Sequence, residues 1–317
     1  MTIVAYVKAA FATVIILASM AVNLSVIVVT TRSPRLRNDL VTQVMRSLAV
    51  SDILLGAGVL VVSSLIVWIF HGADSVVIPL AVSTFHGFLL HLYAINCFVH
   101  VALAAVIKCC VVVRPLDYAD VISERTVART LAAVWVIDVT VGAVELAAGL
   151  RFTFDWDFIM PRIVDGRFVV SPVDLVVFLA STACLVVSYL RIFLVVRKQL
   201  NVIGPVNRVE VVVSNGTVDT QIILSSSSSR QWHSLQLASV RSAKIIFIIS
   251  GTFLLTFTPM VVKTFIADTA VWFTFAAKWI HLLGSVTNGL LYVVLHRSVR
   301  RELKKIFWQR ATVLPPD

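Results

Sequence analysis

The stretch Lys278-Trp279-Ile280-His281-Leu282-Leu283-Gly284-Ser285-Val286-Thr287-Asn288-Gly289-Leu290-Leu291-Tyr292 decides how this chain folds. It lies inside an apolar run, 271–295, that as a helix is long enough to cross about 30 Å of hydrocarbon. Lys278, His281, Ser285, Asn288 and Tyr292 are separated by three, four, three and four residues, which puts all five on one helical face. Polar groups in hydrocarbon are costly unless they face a bundle interior, so this face lines a bundle. Two readings follow. Ser285 and Asn288 could serve interhelical hydrogen bonding alone, or the stripe could join an outer pocket (Lys278, His281) to an inner switch (Asn288, Tyr292). Asp52, mid-span in Ser47-Leu48-Ala49-Val50-Ser51-Asp52-Ile53-Leu54-Leu55, favours the second, because a carboxylate at that depth must have partners.

The rest of the chain has the composition such a bundle needs. Of its 317 residues 59% are hydrophobic and 14% charged, against roughly 25% charged in soluble domains. The mean hydropathy is +0.94. A single soluble core stops growing near ~250–300 residues, so this much apolar surface needs lipid as its solvent. Apolar runs of about 20 residues or more, instead of ten-residue alternating strands, exclude a β-barrel. Seven spans are expected, at about 4–30, 40–69, 77–113, 126–150, 173–199, 238–267 and 271–295, followed by a basic amphipathic helix at 296–307 lying along the membrane surface. The predicted fold is an all-α, seven-transmembrane-helix bundle, with residues 1–307 as one membrane domain and 308–317 as a short tail. The first run reads as a retained helix, since no small-residue cleavage site follows it.

The net charge of +10 belongs to the topology and not to nucleic-acid binding, because the basic residues sit between apolar spans. With the N-terminus outside, all of the 27 lysines and arginines except Lys8, Arg151, Arg162, Arg167, Lys263 and Lys278 fall on the inner side. The inner connection 200–237 carries Ser225 to Ser229, readable as a flexible linker or as a kinase-modified tract beside Arg230. In the same loop Asn215-Gly216 suits a tight hairpin turn. The outer connection 151–172 is mixed in charge and rich in aromatics. Cys97, Cys109, Cys110 and Cys184 all fall inside spans, so no extracellular disulfide framework is expected.

Asp138 and Glu145, seven residues apart, share one face of the fourth span. They could relay protons, as in a transporter. Alternatively Asp138 bonds a neighbouring helix, for example through Asn96, and Glu145 reaches the interface or a basic pocket residue. His100 beside Ser47 and Trp135 reads as a packing network and not a metal site, since no second close ligand accompanies it.

At this point the residues resemble the rhodopsin-like (class A) G-protein-coupled receptors, with matches in order through all seven spans. Asn23 in Ala21-Val22-Asn23 looks like the first-helix asparagine, Leu48-Ala49-Val50-Ser51-Asp52 the second-helix signature, and Trp135 the fourth-helix tryptophan. Pro115-Leu116-Asp117-Tyr118 resembles the Pro-Leu-x-Tyr after helix three, and Tyr189-Leu190-Arg191-Ile192 the inner end of helix five. Phe253-Leu254-Leu255-Thr256-Phe257-Thr258-Pro259 resembles the helix-six Phe-x-x-Cys-Trp-x-Pro pattern, and Asn288-Gly289-Leu290-Leu291-Tyr292 is a variant of Asn-Pro-x-x-Tyr.

The departures are specific. Ile107-Lys108-Cys109 stands in place of Asp-Arg-Tyr, Gly289 and Ser181 in place of prolines, Phe257 in place of tryptophan, and Ser239 where helix six often has an acidic partner. No inactive-state ionic lock to helix six is therefore expected. Ser83 occupies the place of the helix-three cysteine, so the family's outer disulfide is absent. Leu90 stands where amine receptors carry aspartate, and Leu282 where opsins carry the retinal lysine, which disfavours both chemistries. A sodium-site resemblance keeps Asp52, Ser285 and Asn288 but puts Cys97 and Gly284 at other ligand places.

The resemblance implies a plasma-membrane receptor, not an enzyme, that binds an extracellular ligand and activates a heterotrimeric G protein by shifting a two-state bundle equilibrium. No cofactor, metal or nucleic-acid partner is expected besides the lipid bilayer. The expected ligand site comprises His86, Leu90, His91, Ala94, Phe257, Met260, Lys263, Thr264, Lys278 and His281. Its basic members would favour a small anionic or lipid-like ligand, unless the lysines snorkel to the interface. Activation and coupling would run through Asn23, Asp52, Lys108, Tyr189, Phe253, Pro259 as a hinge, Asn288 and Tyr292. Two other functions stay open: a poorly signalling seven-helix scaffold, and a proton- or ion-coupled transporter.

Overall fold

The computed structural model describes residues 2–56, 58, 61–62, 80–115, 117–149, 152–155, 160–163, 171–206, 243–263, 265–266 and 271–311. Its helices are α1 (Thr2–Arg32), α2 (Leu40–Ser51), α3 (Leu80–Val113), α4 (Glu124–Ala147), α5 (Pro172–Val206), α6 (Ala243–Lys263), α7 (Val271–Leu295) and α8 (Arg297–Ala311). Local chemistry sets their starts. The Asp39 side chain caps α2 by accepting from Thr42 N at 2.8 Å, and Ser123 caps α4 by accepting from Thr126 N at 3.1 Å. At α5, Ser171 accepts from Asp174 N at 3.0 Å with Pro172 in the first turn, where its missing N–H costs nothing.

Burial assigns the helices their places. In α3, 72% of the most apolar window is buried, against 11% in α4, so α3 is the central column and α4 a peripheral one. Val136 (66% exposed), Val176 (65%) and Leu255 (74%) point outward from α4, α5 and α6. In water such a belt would be very unfavourable; in hydrocarbon it meets its natural solvent. α8 turns away from α7 by 88°, and its Val299, Leu303 and Ile306 pack on the bundle core, as an amphipathic helix lying across the end of the bundle does.

Four features differ from the sequence expectation. α2 passes at Asp52 into a π-helical turn, Asp52–Gly56, a distortion that periodicity does not reveal. The connection between α4 and α5 contains two strands, β1 (Phe152–Asp155) and β2 (Met160–Ile163), paired antiparallel with Phe152 opposite Ile163. α5 continues through Val206, so the first residues of the loop expected at 200–237 are helical. α8 extends past the expected 307 to Ala311, because Trp308-Gln309-Arg310-Ala311 contains no breaker. The Asn215-Gly216 hairpin, Ser225 to Ser229 and Ser239 lie outside the described residues. Below, the hairpin end is the one carrying β1 and β2, and the α8 end is its opposite.

Candidate functional site

Midway along the bundle Asn23, Asp52 and Asn288, each 1% exposed, line one narrow crevice together with Val26, Met45, Leu48, Ala49, Gly289 and Tyr292. The Asn23 amide donates to Ser19 O at 3.0 Å, to Ser19 Oγ at 3.1 Å and to Ser285 O at 3.3 Å. Ser19 Oγ also donates to Ser285 O at 3.2 Å, so α1 is stitched to α7. Asp52 Oδ1 accepts from Cys97 Sγ at 3.8 Å, and Tyr93 and Asn23 lie beside the carboxylate. Its Oδ2 and both amide atoms of Asn288 have no partner among the described residues. A carboxylate and an amide left incomplete in the same crevice are the groups most responsive to a change of helix packing.

Gly289 makes that crevice possible. A Cβ there would lie 2.6 Å from Asn23 Oδ1 and 3.0 Å from Val22 Cγ1, so the residue that replaces the expected proline lets α7 approach α1. The α3–α4 seam is built similarly: a Cβ on Gly142 would lie 2.5 Å from Phe88 Cε2.

Beside this seam, Asn96 Nδ2 donates to Asp138 Oδ2 at 2.9 Å. Ser47 Oγ is 2.8 Å from His100 Nε2 and accepts from Trp135 Nε1 at 3.1 Å. Both arrangements are the packing networks expected from the sequence. Asp138 is thus committed to α3, and no group of three or more His, Cys, Asp or Glu side chains among the described residues is placed to hold a metal ion.

Toward the hairpin end, both nitrogens of His91 face carboxylates: Nε2 is 2.9 Å from Glu145 Oε2 and Nδ1 is 2.9 Å from Asp174 Oδ1. An imidazolium donating to both sides satisfies this geometry and ties α3 to α4 and α5. His91 belongs to a locally acidic cluster, which differs from its expected part in a basic cavity. Glu145 meets a basic residue, as the sequence suggested, whereas Asp174 was not singled out there; its place in the first turn of α5 looked like an ordinary helix start.

Deeper in, His281 sits edge-on to Phe257, with ring centroids 4.9 Å apart, and to Tyr93 at 6.0 Å. Phe98 is the hub beneath them, 4.4 Å from Phe257, 5.2 Å from Phe253 and 5.2 Å from Phe178. Of the other expected ligand residues, His86, Ala94 and Met260 are buried, while Leu90 and Lys263 are half-buried. Thr264 and the side chain of Lys278 lie outside the described residues. Tyr93, which links His281 to Asp52, carried no signal in the sequence beyond being a tyrosine in an apolar span.

At the α8 end, Thr42 Oγ1 donates to Asp39 Oδ2 at 2.7 Å and lies 2.9 Å from Tyr292 Oη. The threonine has one hydroxyl proton, already given to Asp39, so the tyrosine donates to the threonine. Lys108 is buried, 8% exposed, and Asp39 is the carboxylate whose charge acts on it. The ring of Tyr292 rests on His296 at 5.2 Å. Burial holds the His296 imidazole below its ordinary range, with Asp39 opposing and Lys108 reinforcing that effect. On the other flank Tyr189 Oη lies 3.1 Å from Ser250 Oγ, joining α5 to α6, and α6 stays helical through Pro259.

Comparison with known proteins agrees with this arrangement. Among curated proteins, none matches the sequence significantly. Squid rhodopsin has a similar structure, with a TM-score of 0.74 over 100% of this chain and 89% of the rhodopsin chain, at 16% sequence identity; at that identity the likeness concerns the fold alone. The family model of the 7 transmembrane receptors (rhodopsin family) matches residues 22–294, a stretch that runs from the first-helix asparagine, through the carboxylate it meets, to the far side of Tyr292. This chain is a multi-pass membrane protein that belongs to the rhodopsin family of seven-transmembrane receptors.

Proposed function

We propose that the chain resides in the plasma membrane with its N-terminus and hairpin end outside. There it binds a small anionic or lipid-like ligand and activates a heterotrimeric G protein at the α8 end. The observation that carries this reading is a column of contacts running between the two ends: His281 on Phe257, Tyr93 on Asp52, the crevice shared by Asp52 and Asn288, and Tyr292 bonded to Thr42. A shift of packing at the ligand level has a physical route to the α8 end, as a two-state bundle requires. The orientation is supported by the arginines beside the α8 end, including Arg32, Arg35, Arg37 and Arg114. The ligand class is supported by Lys263, Lys278, His86 and His281 at the other end, although the two carboxylates at His91 make its α4–α5 side acidic.

The test is expression of the full chain with a panel of G-protein activation sensors, first alone and then with fractionated tissue extracts. A response confined to one sensor supports the reading and names the coupling class. Ligand binding with no response in any sensor favours the second reading, a seven-helix scaffold that binds and does not signal. That alternative rests on Lys108, buried and lacking a guanidinium fork, following Ile107 in place of an acid.

A further inference from the structure

The outer face of α8 carries a feature that neither ligand binding nor coupling uses. Arg297, Arg300, Arg301 and Lys304 line a cavity of about 330 Å³. Their spacing of three, one and three residues sets them on one side of the helix, away from Val299, Leu303 and Ile306, which pack on the bundle. Four like charges converging on one space repel one another unless an anion sits between them. No carboxylate of the helix supplies it. Glu302, the one acid in α8, bonds Lys305 at 2.9 Å, and among the described residues none of the four cavity cations is paired with a carboxylate. Arg300 donates from Nη1 to Val294 O at the end of α7, which fixes the cavity to the transmembrane bundle.

Because α8 lies at 88° to α7, a bilayer crossed by α7 places α8 along its surface, with this cavity at headgroup depth. We infer that the Arg297–Arg300–Arg301–Lys304 cavity is a binding site for the multiply phosphorylated inositol headgroup of an anionic lipid. Each guanidinium presents five donors in a fork that matches phosphate oxygens, and three such forks plus an ammonium exceed what a single phosphodiester can accept. A headgroup bearing two or more phosphomonoesters matches the donor set, whereas a monoanionic serine headgroup leaves most of it unsatisfied. The inference depends on the family fold and not on the proposed ligand or G protein.

The test uses the full chain in nanodiscs of neutral phosphatidylcholine, titrated with a fluorescent phosphatidylinositol bisphosphate and, separately, with phosphatidylserine at matched total charge. The comparison variant is R297Q/R301Q/K304Q, which keeps Arg300 and its bond to α7, and K305Q is the control outside the cavity. The expected result is at least a tenfold loss of bisphosphate affinity in the triple variant and less than a twofold change in K305Q. Should the triple variant not fold, the three single glutamine variants each lose about threefold. Equal affinity for the two lipids at matched charge, equal losses in R297Q/R301Q/K304Q and K305Q, or binding of soluble inositol trisphosphate with none of the membrane lipid, would each overturn the assignment.

Discussion

Replacing His91 with alanine leaves the Glu145 and Asp174 carboxylates facing an empty space that an imidazole had filled. His91 holds each of them at 2.9 Å, and the side chains of the three residues are 3%, 13% and 10% exposed in the order His91, Glu145, Asp174. Neither carboxylate oxygen has another partner among the described residues. Breaking a buried pair by removing one member costs about 3–5 kcal/mol, because the remaining charge stays desolvated. That is at least as much as the roughly 2–4 kcal/mol a disulfide contributes, and this chain has serine at position 83, where its relatives' pattern has the helix-three cysteine. The control is His91→Leu with Glu145→Gln and Asp174→Asn. Removing all three charges together is close to neutral, so the triple variant should recover most of what the single variant loses. Thermal unfolding of the purified chain can be followed with a thiol-reactive dye, since Cys97 and Cys109 are free and buried. A His91→Ala variant within about 1 kcal/mol of the parent, or a triple variant no more stable than the single one, would refute the reasoning.

Gly289→Ala should cost about 1–3 kcal/mol, because its Cβ meets Asn23 Oδ1 at 2.6 Å and that amide is held by Ser19 and Ser285; unfolding midpoints of the variant and of Asn23→Ala/Gly289→Ala check whether the loss is relieved when the amide is gone. Thr42→Val cuts the link from Tyr292 to Asp39 and should raise agonist-independent nucleotide exchange. Lys108→Arg should raise agonist-stimulated exchange and Lys108→Ala lower it, with ligand affinity measured without G protein unchanged in both. Lys263→Gln with Lys278→Gln should weaken an anionic agonist by about 2 kcal/mol or more, read by radioligand competition at matched surface expression. His296 has a folded-state pKa below its ordinary 6.5, so the unfolded chain takes up the proton first as pH falls. Its contribution is complete above 6.5 and is lost as pH falls through the lower folded-state value; His296→Asn should flatten the acid side of the stability profile, read from unfolding midpoints across pH.

The polar groups that the sequence revealed were those that a membrane interior forces to declare themselves. Asp52, Asn96, His100 and Asp138 sit too deep for water, so each had to meet another helix. The helical period of α7 alone was enough to put His281, Ser285, Asn288 and Tyr292 on the buried side. What stayed hidden depends on how helices rotate and slide against one another. The pairing of Asp174 with His91 needs the registers of α3 and α5. The approach of Tyr93 to Asp52 needs the rotation of α3 and the π-helical turn that begins at Asp52. Gly289 read only as a missing proline; that it seats Asn23 is a fact about the distance between α1 and α7. The strand pair Phe152–Asp155 and Met160–Ile163 has no Asn-Gly or Asp-Gly pair between its strands, the Asp165-Gly166 of the same connection lying beyond the second one, whereas the Asn215-Gly216 pair drew attention elsewhere.

The contacts at the α8 end also say which helix is restrained there. Thr42, Asp39, Tyr292 and Lys108 join α2, α7 and α3, and the described residues of α6 take no part in these contacts. Among the described residues the polar link of α6 at this end is the neutral bond between Ser250 and Tyr189, of a kind worth about 0.5–1.5 kcal/mol net, beside apolar packing of Ala243 on Cys109, Val112 and Ile192 and of Phe247 on Tyr189. An acid on α6 paired with a guanidinium would hold more, since charge-assisted bonds are roughly twice as strong. Among the described residues no charged pair holds α6 at this end, while movement of α7 must first take the Tyr292 hydroxyl away from Thr42. The polar contact between α2 and α7 at this end lies one turn beyond the incomplete Asn288 amide and the Gly289 contact with α1. Packing changes at the Asp52 crevice and release of Tyr292 are then two consequences of the same displacement of α7.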